Sequence, residues 1–327
     1  MKNERYPLIS VVMLNYNGLK YLKKTVAGIL RLDYPNYEFI VVDNGSTDES
    51  IDFIKKFKKI RIIKNGENLG YSKGKNIGVK KAKGKYVLLL DEDILVEHEA
   101  LLKNLIELLK KKGDILNISL LLCDEHEEYT DYYGGFYSLY GLAYKKRVRA
   151  LNIMNNSKEL VEIASPDGGA LFFRKKTFEK IGGYDESQPY YCDVGDYGIR
   201  GVILTGKKNY LYTKECLIHL GKERKVDNRA WCWKYKYVFS GLSKIIIKNY
   251  NKKKVLTIDP LFLFFMLIKT IKQTVFRKDL RVISSLLFSV YFFLKDLPDT
   301  LKQRRVIQSK RVLKNDVFLK IKIPKFD

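Results

Sequence analysis

Within the first 90 residues, short β-branched apolar runs alternate with segments of helical spacing, and polar residues stand directly after the runs. Residues 8–14 (LISVVML) and 37–42 (YEFIVV) are strand-like, whereas residues 19–32 space their apolar side chains like a helix with one buried face. That is a βαβ unit. The pattern then repeats. Ser46 and Glu49 match a capping box and predict a helix reaching Phe57; residues 60–63 read as a strand, 72–83 as a helix and 86–90 as a strand. Strands separated by helices predict an α/β fold with a mostly parallel, Rossmann-like central sheet.

Ligands of such sheets bind where the carboxyl ends of the strands open onto loops. The residues there are Asn15-Tyr16-Asn17, Asp43-Asn44, Asn65 and Asp91-Glu92-Asp93. A lone Asp-X-Asp is more often a solvated turn, but here a second acid, Asp43, ends another strand in VVDNGSTDES. Carboxylates fixed in this way suit Mg²⁺ or Mn²⁺ held through a substrate's phosphates. In NLGYSKGKNIG, Lys73 and Lys75 are interleaved with Gly70, Gly74 and Gly78. We read these glycines as letting backbone approach a ligand, and the lysines as neutralising phosphate.

Further along, residues 101–109 predict a helix, 115–122 a strand and 129–144 a Tyr- and Gly-rich hairpin or irregular loop, and Gly168-Gly169 forms a turn entering a strand. Beyond Tyr250 the character changes to apolar blocks between basic clusters, which places a boundary near 240. The expected organisation is therefore an α/β domain over 1–240, with halves of about 1–100 and about 101–240. A basic helical region over 241–327 follows.

The 61 Lys and Arg against 37 Asp and Glu give a net charge of +24, which implies an anionic partner. Residues 244–327 hold 20 of the basic residues against 6 acidic ones, a net of +14. Their longest apolar stretches, 260–268 and 282–294, fall short of the ~20 residues of a spanning helix but are long enough to lie in a membrane interface. The expectation is peripheral attachment to an anionic membrane surface, with packing on the catalytic domain or homo-oligomer formation as the competing use of these helices. The four cysteines form no CxxC pair and no leader pattern opens the chain, so the expected location is the cytoplasmic, inner face of the cell membrane.

Taken together and in this order, VVMLNYNG, VVDNGSTDES, NLGYSKGKNIG and LLLDED resemble the N-terminal half of family 2 glycosyltransferases, which have the GT-A fold. The resemblance continues through GGALFFRKKTFEKIGGYDE to His219 and covers about residues 7–250, and it implies that 1–240 is the catalytic domain, with its nucleotide-sugar half about 1–100 and its acceptor half about 101–240. It implies an inverting hexosyl- or related glycosyltransferase that uses a nucleotide-diphosphate sugar, with UDP-sugar as the leading donor, and a divalent metal, Mn²⁺ or Mg²⁺. By resemblance Asp43 accepts a hydrogen bond from the base, Tyr16 lies against it, Lys75 sits near the nucleotide and Asp91 contacts the ribose. Asp93 and His219 would be metal ligands, although a loop histidine with a structural partner reads nearly as well.

The family's catalytic segment is irregular here, in Asp193-Val194-Gly195-Asp196-Tyr197-Gly198-Ile199-Arg200. Aligned on Arg200, it leaves Val194 where the base should stand. With one inserted glycine Asp193 becomes the base and Asp196 its support, the alignment we favour over Asp196 as base. Gly168 and Gly169 fall in the acceptor-side segment, and Trp231, near Trp233, Tyr235 and Tyr237, is placed on the acceptor side, with core packing as the alternative. A lipid-linked or envelope glycan is the expected acceptor. Two other functions compete: a catalytically inactive nucleotide-sugar- or carbohydrate-binding scaffold, and a nucleic-acid-binding protein. The acids at the ligand-binding strand ends and the lack of any nucleic-acid-binding signature argue against the second.

Overall fold

A computed structural model describes residues 5–132, 134–138, 141–143, 148–188, 190–221 and 228–321. The chain alternates β1 (Ile9–Asn15), α1 (Leu19–Leu30), β2 (Tyr37–Asp43), α2 (Ser50–Ile54), β3 (Ile60–Lys64), α3 (Tyr71–Lys81) and β4 (Tyr86–Asp91). Then come β5 (Ile94–Leu95), α4 (Leu101–Lys111), β6 (Ile115–Cys123), β7 (Thr130–Tyr132), β8 (Phe136–Ser138), β9 (Gly141–Ala143), α5 (Ala150–Asn156) and β10 (Leu160–Ile163). Next are β11 (Ala170–Arg174), α6 (Lys175–Ile181), α7 (Asp193–Thr205) and β12 (Lys208–His219). Three long helices follow: α8 (Asn228–Asn249), α9 (Lys252–Arg277) and α10 (Arg281–Ser309).

Among the described residues the main path of the sheet runs β10-β12-β6-β11-β4-β1-β2-β3, with β5 paired to β12 and β7 to β6. Strands β1 to β4 are parallel to one another, as the sequence predicts. β11 enters between β4 and β6 antiparallel to both, a departure from a doubly wound sheet that period alone could not show. Both faces of the sheet are covered. Val11, Met13, Leu88 and Leu90 join one buried cluster, Val12, Leu14, Val87 and Leu89 the other. Emptying one such position, as in Leu89→Ala, removes ~2–5 kcal/mol.

Two expectations are corrected here. Ser46 does not cap α2: Glu49 occupies the N-cap position, without a side-chain hydrogen bond, and the Ser46 hydroxyl instead accepts hydrogen bonds from Asn15 and Asn17. Gly74 and Gly78 do not face a ligand either. They sit one helical turn apart where α3 lies on the sheet, and a Cβ there would meet Leu14 at 2.6 Å and Val12 at 2.5 Å. Glycine at these positions lets helix and sheet approach. Cys123 and Cys216, on neighbouring β6 and β12, are joined as a disulfide, a pairing across 93 residues that spacing rules do not reveal.

The apolar blocks near the C-terminus fall inside α9 and α10, and no helix of the described residues is long and apolar enough to cross a membrane. α8 runs through position 240 without interruption.

Candidate active site

Strand register assembles the rim. Asn15 stands opposite Asp43 across β1 and β2, and Asp91 lies opposite Leu14 across β1 and β4. Buried Asn15 donates from Nδ2 to Asp43 Oδ1 at 3.2 Å and to the hydroxyls of Ser46 and Ser50 at 3.0 and 3.1 Å. The backbone N–H of Ser46 donates to Asp43 Oδ2 at 3.3 Å. Neutral donors thus aim the buried Asp43 carboxylate. Tyr16 beside it is 44% exposed and offers its ring to an incoming group. Asn17, at φ 54°, accepts from the backbone of Thr47 at 2.8 Å and ties the two loops together.

A second group gathers at the end of β4. Lys75, fully buried on α3, holds its Nζ 2.6 Å from Asp91 Oδ1 and donates to the Gly168 carbonyl and the Tyr71 hydroxyl, each at 2.6 Å. The antiparallel pairing of β11 sets Gly169 across from Asp91, whose N–H donates to the Gly169 carbonyl at 3.0 Å. Side chains are excluded on that strip, because a Cβ on Gly168 would strike Tyr71 and, at 2.7 Å, Val194. The strip therefore joins the β4 end to the start of α7.

The short pairing of β5 with β12 sets His219 across from Ile94, which brings its Nε2 to 3.1 Å from Asp93 Oδ2. Asp131 holds the other ring nitrogen, Nδ1, at 2.5 Å. Burial lowers the His219 pKa, but hydrogen bonding to Asp93 and the surrounding carboxylates outweigh it, and the net shift is upward. Burial also raises Asp91, against the pull of Lys75 and with the push of Asp93. It pushes Glu92 up to about 8 and Asp167 up to about 6, in both cases aided by the Asp91 charge. So many crowded, desolvated acids beside one lysine make the site short of positive charge.

No group of three or more His, Cys, Asp or Glu residues arranged around a single ion is present among the described residues. Asp93 and His219 are nevertheless adjacent oxygen and nitrogen donors, and the surplus of carboxylates is the environment a divalent cation neutralises when phosphate oxygens complete its shell.

The two candidate bases have opposite surroundings. Asp196 is fully buried and saturated: Oδ1 receives Lys248 at 2.9 Å and Asn249 at 2.8 Å, and Oδ2 receives Arg200 at 3.0 Å. Burial would raise its pKa, but Lys248 and Arg200 prevail and lower it. Asp193, at the first position of α7, accepts from the Ser72 hydroxyl at 2.9 Å, and burial pushes it up to about 7. It follows Tyr191 and Cys192, both non-glycine residues in left-handed backbone (φ 60° and 47°), a local strain of the kind found at functional sites.

Of the other candidates, Trp231 is not brought to this region. Its ring stacks on Tyr235 at 4.6 Å under the Arg277 guanidinium and packs on the cluster shared by α8 and α9. Trp233 is the tryptophan set against Tyr190 and Tyr191, at 4.9 and 6.0 Å, just before Asp193. Sequence reasoning missed Asp167, Asp131 and Ser72. The acid immediately before Gly168-Gly169 was a usable signal for the first; the other two are joined to the site only by tertiary contact.

The family model Glycosyl transferase family 2 matches residues 10–182, more than half of the chain. Glycosyltransferase GlyG of Streptococcus pneumoniae is 34% identical over 134 residues, covering 40% of this chain and 42% of that protein. The chain spans about half the length, or less, of the curated relatives it matches. Among solved structures, S. aureus TarS 1–349 in complex with UDP-GlcNAc aligns with a TM-score of 0.60 at 13% identity, covering 95% of this chain and 90% of that one. Mannosyltransferase PcManGT from Pyrobaculum calidifontis, in complex with GDP-Man and Mn²⁺, aligns with a TM-score of 0.56 at 15% identity, covering 93% and 86%. At such identities the likeness is one of fold.

Proposed function

The chain belongs to glycosyl transferase family 2 and has the GT-A fold, and from that premise we propose that it is an inverting glycosyltransferase taking a sugar from a nucleotide diphosphate, with UDP-sugar as the donor. The observation that carries the reading is the strip at Gly168-Gly169. It joins the carboxylates at the end of β4, which this reading gives to the donor, to the helix start that bears Asp193, which it makes the base. The UDP-GlcNAc bound by TarS supports a UDP donor, and the GDP-Man bound by PcManGT keeps a GDP-sugar as the competitor.

In this reading Asp43 and Tyr16 receive the base, and Lys75 and Asp91 the ribose and diphosphate side. Asp93 and His219 would hold a divalent cation, which when bound supplies charge neutralisation for the departing diphosphate. The acceptor hydroxyl forms its bond to the anomeric carbon as the bond from that carbon to the diphosphate oxygen breaks, and the hydroxyl proton passes to the Asp193 carboxylate. A displacement from the opposite face inverts the anomeric carbon. Asp193 suits the role because it lacks the lysine and arginine that saturate Asp196. Its carboxylate is available to a proton near neutral pH.

Incubating the full chain with UDP-, GDP- and dTDP-sugars, with and without Mn²⁺, tests the reading. Metal-dependent release of the nucleoside diphosphate is expected with one donor class. Stabilisation by donor without any turnover, even with glycan acceptors, would favour a binding scaffold instead.

The acceptor in this proposal is a lipid-linked or envelope glycan, because α9 and α10 suit a membrane surface. Phe264, Leu267, Ile271 and Val275 form an exposed apolar line on α9, and Ile283, Leu287, Tyr291 and Leu294 another on α10. Lys269, Lys272, Arg277, Lys278 and Arg281 lie on the same two helices and the turn between them. An apolar face with basic residues around it complements an anionic leaflet, each such charge adding about 1 kcal/mol.

A further inference from the structure

A cavity of about 280 Å³ opens between Glu186, Ser187, Gln188 and Tyr190 on one side and α8 and α10 on the other, with Asp193 outside its lining. One part of its lining is aromatic, from Tyr190, Tyr237 and Phe292. The rest is polar, with Glu186, Gln188 and the pair Lys244–Asp296, whose charges meet at 2.5 Å. Gln188 is buried, and its Oε1 has no hydrogen-bond partner among the described residues. Its amide nitrogen donates to Asp185 Oδ2 at 3.3 Å, which fixes this part of the wall.

Gln188, one of the lining residues, is linked to Asp193 through one hydroxyl. Ser72 Oγ lies 2.7 Å from the Gln188 carbonyl and 2.9 Å from Asp193 Oδ2. Its single proton serves one acceptor at a time, so wall and base share a hydrogen bond. The charge balance excludes a second nucleotide: Lys244 is already engaged by Asp296, and Glu186 adds a further negative charge, which repels phosphate. A neutral polyol with an apolar face fits this lining, the face against the rings and the hydroxyls toward Glu186, Ser240 and Asp296. The volume, just under the ~300 Å³ at which small-molecule pockets begin, has room for a single hexose-sized unit and not for an extended chain.

We propose that this cavity is the acceptor-sugar subsite, taking one terminal pyranose of the acceptor, with α8 and α10 supplying two of its walls. The proposal rests on the glycosyltransferase reading above. It gives the C-terminal helices a part in substrate recognition.

Saturation-transfer NMR on the full chain tests it, with methyl glycosides of glucose, galactose, mannose and N-acetylglucosamine as probes and UDP as the donor-side probe. One or more glycosides should bind without being displaced by UDP. Binding should weaken at least about ten-fold in Tyr237→Ala, which removes a ring, and measurably in Glu186→Gln, which keeps the shape and removes the charge. Retained melting temperatures confirm that both variants are folded. The proposal is overturned if none of the glycosides binds, if UDP displaces them, or if neither substitution weakens binding. Donor turnover measured on the same wild-type sample separates the two readings. Turnover without glycoside binding rejects the subsite and keeps the transferase; absence of both rejects both.

Discussion

Lys248→Met tests how α7 is held. The Lys248 ammonium is buried on α8, 2.5 Å from Asp185 and 2.9 Å from Asp196, so removing it orphans two carboxylates at once. Breaking a buried pair from one side costs about 3–5 kcal/mol. Arg200 still holds Asp196 and Ser187 still donates to Asp185, which sets the expectation at the low end, about 3 kcal/mol. In a chain of 327 residues that is a fall in melting temperature of roughly 4 °C. The pH dependence identifies the cause. Both acids are held below their ordinary values, by Lys248 at Asp185 and by Lys248 with Arg200 at Asp196, despite burial. Depressed carboxylates contribute stability that is present above their unfolded pKa of about 4 and lost as pH falls through the folded value. Without Lys248 the two pKa values rise, so the deficit relative to wild type should be largest near pH 7.5 and shrink toward pH 5. Scanning calorimetry at both pH values is the assay. An equal deficit at the two would mean that lost packing, not charge, explains the variant, and a deficit under ~1 kcal/mol would refute the anchoring role.

Three further outcomes are expected. Asp193→Asn should lower kcat by ~10²–10⁴ with donor affinity nearly unchanged, and wild-type kcat/KM should fall as pH drops through about 7, where the raised Asp193 takes up its proton; the opposite pattern in an Asp196→Asn comparison would transfer the role. Asp93→Ala should remain folded while losing Mn²⁺-dependent stabilisation by nucleotide in a thermal-shift assay, and undiminished stabilisation would remove Asp93 from the metal site. Full-length protein should co-float with anionic liposomes at low salt, and Phe264→Glu/Leu267→Glu should not; a wild-type protein left in the bottom fraction, or dimeric by light scattering with that dimer lost in the variant, would assign the apolar face to a second copy.

Much of the N-terminal part of the sheet was legible, because its signals are local. Period 2 and period 3.6 mark β1 to β4 and their helices, and strand ends carry Asp43, Asp91 and Asp93 onto one rim. What escaped depends on contacts between distant segments. The antiparallel entry of β11 is set by pairing, not by its own sequence. Gly74 and Gly78 carry the same letters whether they meet a phosphate or Leu14 and Val12, and only the packing of α3 decides it. The Asp193/Asp196 ambiguity had no local remedy, since the cations that saturate Asp196 include Lys248, far along the chain. Trp231 and Trp233 differ by two positions on one helix, which turns them toward different neighbours.

The most direct measurement is the stereochemistry of transfer. With a metal-loaded full chain, an α-linked UDP-sugar and the glycoside that binds best, proton NMR of the first product formed reads its anomeric configuration before mutarotation can blur a free sugar. The account predicts a β-linked product, formed only with divalent metal and missing in Asp193→Asn. An α-linked product, or a β-linked one formed equally well by Asp193→Asn, would contradict single displacement with Asp193 as the base.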